Sequence, residues 1–204
     1  MTARLALTGA TGRVGGRVAR ALADLEPVLL VRDPARAPQL PGVEVRTAEY
    51  RDYDQCLAAL QGVETLFFVS AQETRRRRED HRRLVMAAVD AGVGHLVYTS
   101  LVRSPAGSLA TLAHDHAHTE EAILGSGLRF TFLRDNLYAD ALPYLVGPDG
   151  VIRGPAGEGR VAGVAIADVA DAAAAVLRDP AAHAGTTYSL TGHPARTLEQ
   201  VLTK

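Results

Sequence analysis

The sequence predicts an α/β fold, a doubly wound parallel sheet with helices on both faces. Three observations predict it: short apolar runs at regular intervals, segments of helical period between them, and a glycine-rich turn joining the first run to the first helix. The runs are Leu5–Leu7, Val28–Val31, Val43–Val45, Thr65–Val69, His95–Tyr98 and Phe130–Leu133. They are continuous enough to be strands buried on both faces, as parallel sheets require.

Each intervening segment justifies one helix. Val14, Val18, Leu22 and Leu25 fall on one face after the first strand. Leu57 and Leu60 mark a shorter helix that ends at Gly62. Leu84, Val85, Ala88 and Val89 form the stripe of a third, stopped by Gly92 and Gly94. Glu120–Leu124 ends a fourth before Gly125 and Gly127. Residues 139–204 are looser. Gly147–Gly163 reads as an irregular Gly/Pro-rich segment, and Asp168 opens an alanine-rich helix through Leu177 that Asp179-Pro180 terminates. Asp168 and Asp171 are explained by capping and the helix dipole. Thr187–Leu190 gives a last strand, and Thr197 with Gln200 has the spacing of a capping box for a further helix.

The chain has 204 residues, 47% of them hydrophobic, which suits one domain spanning residues 1–204 and excludes low-complexity disorder. Lys plus Arg number 22 against 23 Asp plus Glu, so the net charge of −1 supplies no field for nucleic acid or an anionic membrane. One cysteine, Cys56, permits no internal disulfide and is expected to be buried rather than redox-active. The N-terminal residues are too soon broken by glycine for a signal peptide, and no run of about 18 apolar residues follows. A cytoplasmic location is therefore expected.

The chemistry concentrates in Thr8-Gly9-Ala10-Thr11-Gly12-Arg13-Val14-Gly15, directly after a strand and before a helix. A diphosphate needs closely approaching backbone N–H groups, a tight turn and a helix N-terminus aimed at its charge. Gly9 suits the turn, Gly12 the close approach, and Gly15 the packing of helix on strand, so the motif predicts dinucleotide binding. Past the second strand stand Arg32, Asp33 and Pro34. A cation there accommodates the 2′-phosphate of NADPH, whereas an acid would take the 2′-hydroxyl of NADH. Asp33 before Pro34 is accounted for as a helix cap, and Arg13 adds a second cation, so NADPH is favoured over NADH.

Two further groups have plain readings. The arginines Arg75–Arg78, interleaved with acids, are read as a solvated helix entry with local ion pairs rather than a nucleic-acid patch. His114, His116 and His118 are read as solvent-facing rather than metal-binding, since no third ligand is in sight.

The glycine motif, Val31-Arg32-Asp33-Pro34, Ala48-Glu49-Tyr50, Tyr98-Thr99-Ser100-Leu101, Thr119-Glu120 through Ser126-Gly127 and Leu133-Arg134-Asp135-Asn136-Leu137-Tyr138 follow one another in order. That ordered set resembles the NmrA-like atypical short-chain dehydrogenases, and within them the NAD(P)H:quinone oxidoreductase type 2 branch. The resemblance spans essentially the whole chain. It implies a Rossmann-type domain, with Gly9, Thr11, Gly12, Arg13 and Val14 at the pyrophosphate and Arg32 at the adenosine phosphate. It implies Glu49 and Tyr50 near the adenine, Ser70 near the ribose, Thr99 and Ser100 near the nicotinamide, and Asn136 and Tyr138 on the substrate side.

Two departures stand out. The Tyr and Lys that most short-chain dehydrogenases use for proton transfer fall on Leu112 and His116. No catalytic residue is assigned, and His116 is the remaining candidate. Much of the C-terminal lobe that closes the family's substrate pocket is absent, and the apolar surface where it would dock favours a homodimer. The implied activity is hydride transfer from NADPH to a small-molecule acceptor, a quinone. The alternative is a non-catalytic NADP(H)-binding redox sensor of NmrA type.

Overall fold

The computed structural model describes residues 4–102, 111–149, 151, 157–197 and 199–200. The expected irregular segment Gly147–Gly163 and the helix after Thr197 lie partly outside them. The elements in order are β1 (Leu5–Thr8), α1 (Arg13–Ala21), β2 (Val28–Val31), β3 (Val45–Thr47), α2 (Tyr53–Ala59), β4 (Thr65–Phe68) and α3 (Arg77–Asp90). Then come β5 (His95–Leu101), α4 (Thr111–Gly125), β6 (Arg129–Asp135), β7 (Arg160–Val161), α5 (Ile166–Arg178), β8 (Thr186–Leu190) and β9 (Arg196–Thr197).

Among the described residues one seven-stranded sheet has the order β3-β2-β1-β4-β5-β6-β8, every neighbouring pair parallel. The order reverses at β1 and β4, the place where an open α/β sheet forms its ligand crevice. Alternate side chains of the central strands feed two cores. Leu7, Leu29, Val97 and Leu133 meet Val18 of α1 and Val169 and Leu177 of α5 on one face. Leu66, Phe68, Tyr98 and Phe132 meet Leu84 of α3 and Ile123 of α4 on the other. This is the doubly wound fold the pattern predicts.

Several elements differ from expectation, each for a physical reason. The third strand starts at Val45 rather than Val43 and is largely exposed, because it lies at the sheet edge and has a neighbour on one side only. Leu25 is 43% exposed, since α1 stops at Ala21 and the chain tightens into a 3₁₀ turn. Val89 is likewise exposed on α3, leaving Leu84, Val85 and Ala88 as the buried stripe. Helix α5 begins at Ile166, with Asp168 inside its first turn; the side chain of Asp140 accepts the Ile166 N–H at 2.8 Å and so caps the helix from a distance. The ribbon of β7 and β9 is too short to carry a period and is not legible in the sequence. Thr197 and Gln200 do exchange the two bonds of a capping box, at 3.1 and 3.2 Å.

Candidate functional site

The carboxyl end of β1 is tied to that of β4 through Thr8. Its hydroxyl donates to the Phe67 carbonyl at 3.2 Å and accepts the Val69 N–H at 2.9 Å. The turn that follows leaves no room for side chains. Gly9 has φ +66°, and a Cβ there would stand 2.8 Å from that of Val69. A Cβ on Gly15 would overlap the Gly9 carbonyl and come within 2.9 Å of the Thr8 carbonyl oxygen, so α1 packs backbone to backbone on the end of β1. Gly12 closes the turn, its N–H donating to the Gly9 carbonyl at 2.8 Å, and sits at the N-cap of α1.

No side chain caps that N-terminus and no acid occupies its first turn. The unpaired first-turn N–H groups and the helix dipole therefore face a glycine cradle that a Cβ would fill, which fits a diphosphate. Val14 is buried and holds the helix to the sheet, and Thr11 is exposed at the lip of the turn. Arg13 is committed to an ion pair with Asp140 at 3.1 Å, bridging the turn to the segment after β6.

Beyond β2, Thr11, Arg32, Asp33 and Arg36 line a cleft of about 260 Å³. Asp33 caps the 3₁₀ turn Pro34–Arg36, its carboxylate accepting the Ala35 N–H at 3.0 Å. Arg36 is a second cation that sequence reasoning missed; the turn that carries it follows Pro34 closely enough to have signalled it. Glu49 pairs with Arg51 at 2.9 Å. The Tyr50 hydroxyl donates to the Val69 carbonyl at 2.8 Å, and its ring stands edge-on to Phe68, with burial pushing its pKa up. Cys56 is buried as expected, its thiol pushed up to about 12 by burial and by the acids Asp52 and Glu49.

The ends of β4, β5 and β6 make the other half of the site. The Ser70 N–H donates to the Thr99 hydroxyl at 2.9 Å. Ser100 donates to Glu120 at 2.7 Å, and Glu120 is held bidentately by Arg134 at 2.8 and 2.7 Å. The side chain of Asn136 accepts the Leu137 N–H at 2.8 Å. The Tyr138 hydroxyl donates to Asp135 at 2.8 Å.

Beneath Ser70 lies a buried polar network that the sequence did not reveal. Arg77, read as part of a solvated cluster, is 1% exposed. Its Nε donates to the Ala71 carbonyl at 2.9 Å and its Nη2 to His116 Nε2 at 2.8 Å, while Asp115 lies 3.7 Å from Nη1. Arg78 bonds the same Asp115. An arginine can only donate, so His116 Nε2 accepts and Nδ1 carries the proton, pointed at the Tyr98 hydroxyl 2.9 Å away. His81 repeats the logic, accepting the Ala71 N–H at 3.1 Å and facing Thr119 at 2.9 Å. Burial and the Arg77 charge hold both histidines down at about 3.

One further expectation is corrected by this network. His116 is buried rather than solvent-facing, with both ring nitrogens engaged in the α3–α4 face of the core, so it is a structural bridge and not an exposed proton donor. Among the described residues no group of three or more His, Cys, Asp or Glu is placed to hold a metal ion. No described helix is long and apolar enough to cross a membrane.

Comparison with known proteins places this geometry. A family model described as NAD(P)H-binding matches residues 9–180. Quinone oxidoreductase 2 of Escherichia coli is 39% identical over 97% of this chain and 71% of its own length. The crystal structure of the E. coli NADPH-dependent quinone oxidoreductase with NADPH superposes with a TM-score of 0.86, covering 98% of this chain and 74% of that one. The Citrobacter sp. triphenylmethane reductase complexed with NADP(H) is 34% identical with a TM-score of 0.85, covering 97% of this chain and 73% of its own. The family match begins within the glycine cradle and runs past the end of α5, so it takes in both halves of the site, and the chain belongs to the NAD(P)H-binding family.

Proposed function

We propose that the protein is an NADPH-dependent quinone reductase. The observation that carries this reading is the 39% identity, over 97% of the chain, to a quinone oxidoreductase, joined to an intact glycine cradle for the dinucleotide. In this reading Gly9, Thr11, Gly12, Arg13 and Val14 surround the diphosphate. Arg32 and Arg36 flank the 2′-phosphate, since Asp33 is engaged as a cap. Glu49 and Tyr50 border the adenine and Ser70 the ribose, with Thr99 and Ser100 at the nicotinamide and Asn136 and Tyr138 at the acceptor.

Bound there, NADPH supplies the hydride. The protein's part is to orient and to exclude water. Thr99, whose oxygen takes the Ser70 N–H, keeps its own O–H to donate. Ser100 cannot do the same: Glu120, ion-paired with Arg134, is an obligate acceptor, so the Ser100 proton is committed to it and only its lone pairs face a ligand. The lack of a Tyr-Lys pair at Leu112 and His116 suits a quinone, because hydride transfer to it leaves a delocalised phenolate rather than a localised alkoxide.

Stopped-flow absorbance of NADPH with and without a small quinone tests the reading. Acceptor-dependent NADPH oxidation is expected. Tight NADPH binding with no oxidation across several quinones overturns it and favours the redox-sensing alternative.

A further inference from the structure

The carboxyl group of Asp135 is an anomaly that neither cofactor binding nor packing explains. It ends β6, in register with Leu101 of β5 and Leu190 of β8, at the same end of the sheet as the glycine cradle. It is 2% exposed, and among the described residues its Oδ1 has no hydrogen-bond partner. Its Oδ2 meets the half-buried Tyr138 hydroxyl at 2.8 Å. A buried acid with one oxygen unserved costs stability, so its retention calls for another account.

Among the described residues no charge compensates it. Arg134 projects to the opposite face of β6, where Glu120 holds it. Asp140 and Arg13 pair with each other, and Asp140 also takes the Ile166 N–H. From β8, Tyr188 is bonded to His183 at 2.7 Å. Among the described residues Tyr138 is thus the one titratable group that bonds the carboxyl, and burial pushes Asp135 up to about 7.

We propose that Tyr138 and Asp135 form a proton relay to the reduced acceptor, Tyr138 giving its phenolic proton to the acceptor oxygen and Asp135 replacing it. The relay rests on the quinone reductase reading. The hydride and its electron pair come from NADPH and form an O–H bond at one quinone oxygen, leaving a hydroquinone monoanion. The Tyr138 O–H bond breaks as the acceptor O–H bond forms. The proton on Asp135 Oδ2 passes to the Tyr138 oxygen, and the carboxylate left behind regains a proton from water after product leaves. The sum is one NADPH, one quinone and one proton giving NADP⁺ and hydroquinone. A phenol both donates and accepts, so the bond between the two groups reverses direction without movement of heavy atoms.

This arrangement occupies the role that Leu112 and His116 leave vacant, from a different element of the fold. A neutral acid with one oxygen unserved also costs less to bury than a carboxylate in the same place.

Two measurements on the full chain decide the matter. Carbon-13 NMR of aspartate-labelled protein without cofactor is expected to show one carboxyl titrating near neutrality that Asp135→Asn removes; titration of Asp135 in the ordinary acid range overturns the relay whatever the activity. Steady-state reduction of 1,4-benzoquinone is then compared with that of tetrachloro-1,4-benzoquinone, whose hydroquinone anion is far less basic and needs no donor. Asp135→Asn and Tyr138→Phe are expected to lower kcat for benzoquinone about 100-fold more than kcat for the chlorinated acceptor, the low end for general acid catalysis. Equal losses on both quinones mean a structural role and overturn the relay alone. Failure of the wild-type protein to reduce either quinone overturns the parent reading and the relay with it.

Discussion

Arg77 and His116 meet at 2.8 Å, guanidinium to imidazole, in the core between α3 and α4. The contact closes a circuit in which Arg77 holds the Ala71 carbonyl and His81 holds the Ala71 N–H, so both polar groups of one residue after β4 are clamped by α3. Ser70, its neighbour, bonds Thr99 on β5. The network therefore braces the segment after β4 against α3, α4 and β5.

Removing His116 leaves the Arg77 Nη2 without an acceptor, beside an Nη1 that already lacks a hydrogen bond. His116→Leu is expected to destabilise the fold by about 3 kcal/mol, the range for breaking a buried charged contact. The double variant Arg77→Met with His116→Leu is expected to cost less than the sum, because it removes the stranded charge as well. Urea unfolding of the three proteins checks this; simple additivity would refute the coupling.

The same histidines set an acid limit. Both are held at about 3 in the fold against an ordinary value of 6.5, so between those limits the unfolded chain binds more protons and stability falls as pH drops below 6.5. Each contributes a slope of at most about 1.4 kcal/mol per pH unit. Asp135 has the opposite sign: raised from 3.8 to about 7, it binds its proton more tightly in the fold and loses stability as pH rises through that window. Asp135→Asn is thus expected to steepen the loss of stability between pH 6.5 and 4, read as the urea midpoint against pH. A shallower curve would contradict the assignment.

Backbone contact between α1 and the end of β1 makes Gly15 intolerant of even one methyl group. The Cβ of Gly15→Ala would press on two carbonyl groups rather than on a side chain that can turn away. Relief requires lifting α1 from the turn, at a cost of about 1–3 kcal/mol for overpacking. Calorimetric titration with NADPH is expected to show affinity falling more than 10-fold, since the first-turn N–H groups move with the helix. Undiminished binding would place the diphosphate elsewhere.

The central strands, α1 and the cradle were legible because buried parallel strands are near-continuous apolar runs and the glycine spacing is tied to a mechanical need. The extent and burial of β3 were misjudged because an edge strand needs no apolar run. Arg77 was missed for another reason: six arginines stand between positions 75 and 83, and nothing in their order tells which one turns inward. Burial was decided by partners distant in sequence, Asp115 and His116, which only the packing of α4 on α3 brings into reach. Asp135 was hidden likewise, since its isolation depends on Arg134 facing the other way.

In the proposed reading, cofactor choice turns on two cations rather than one. Arg32 and Arg36 share the cleft past β2, while the acid between them is spent on the turn that presents Arg36. A 2′-phosphate there would meet both guanidiniums, whereas the 2′-hydroxyl of NADH offers neither a charge partner. Arg32→Asp is expected to weaken NADPH binding at least 10-fold more than NADH binding, and Arg36→Ala to do so by a smaller factor because the cap at Asp33 and the first cation persist. Fluorescence titration with the two nucleotides measures both ratios. Equal losses for NADPH and NADH would remove the phosphate from this cleft, and an Arg36→Ala variant indistinguishable from wild type would return the selectivity to Arg32 alone.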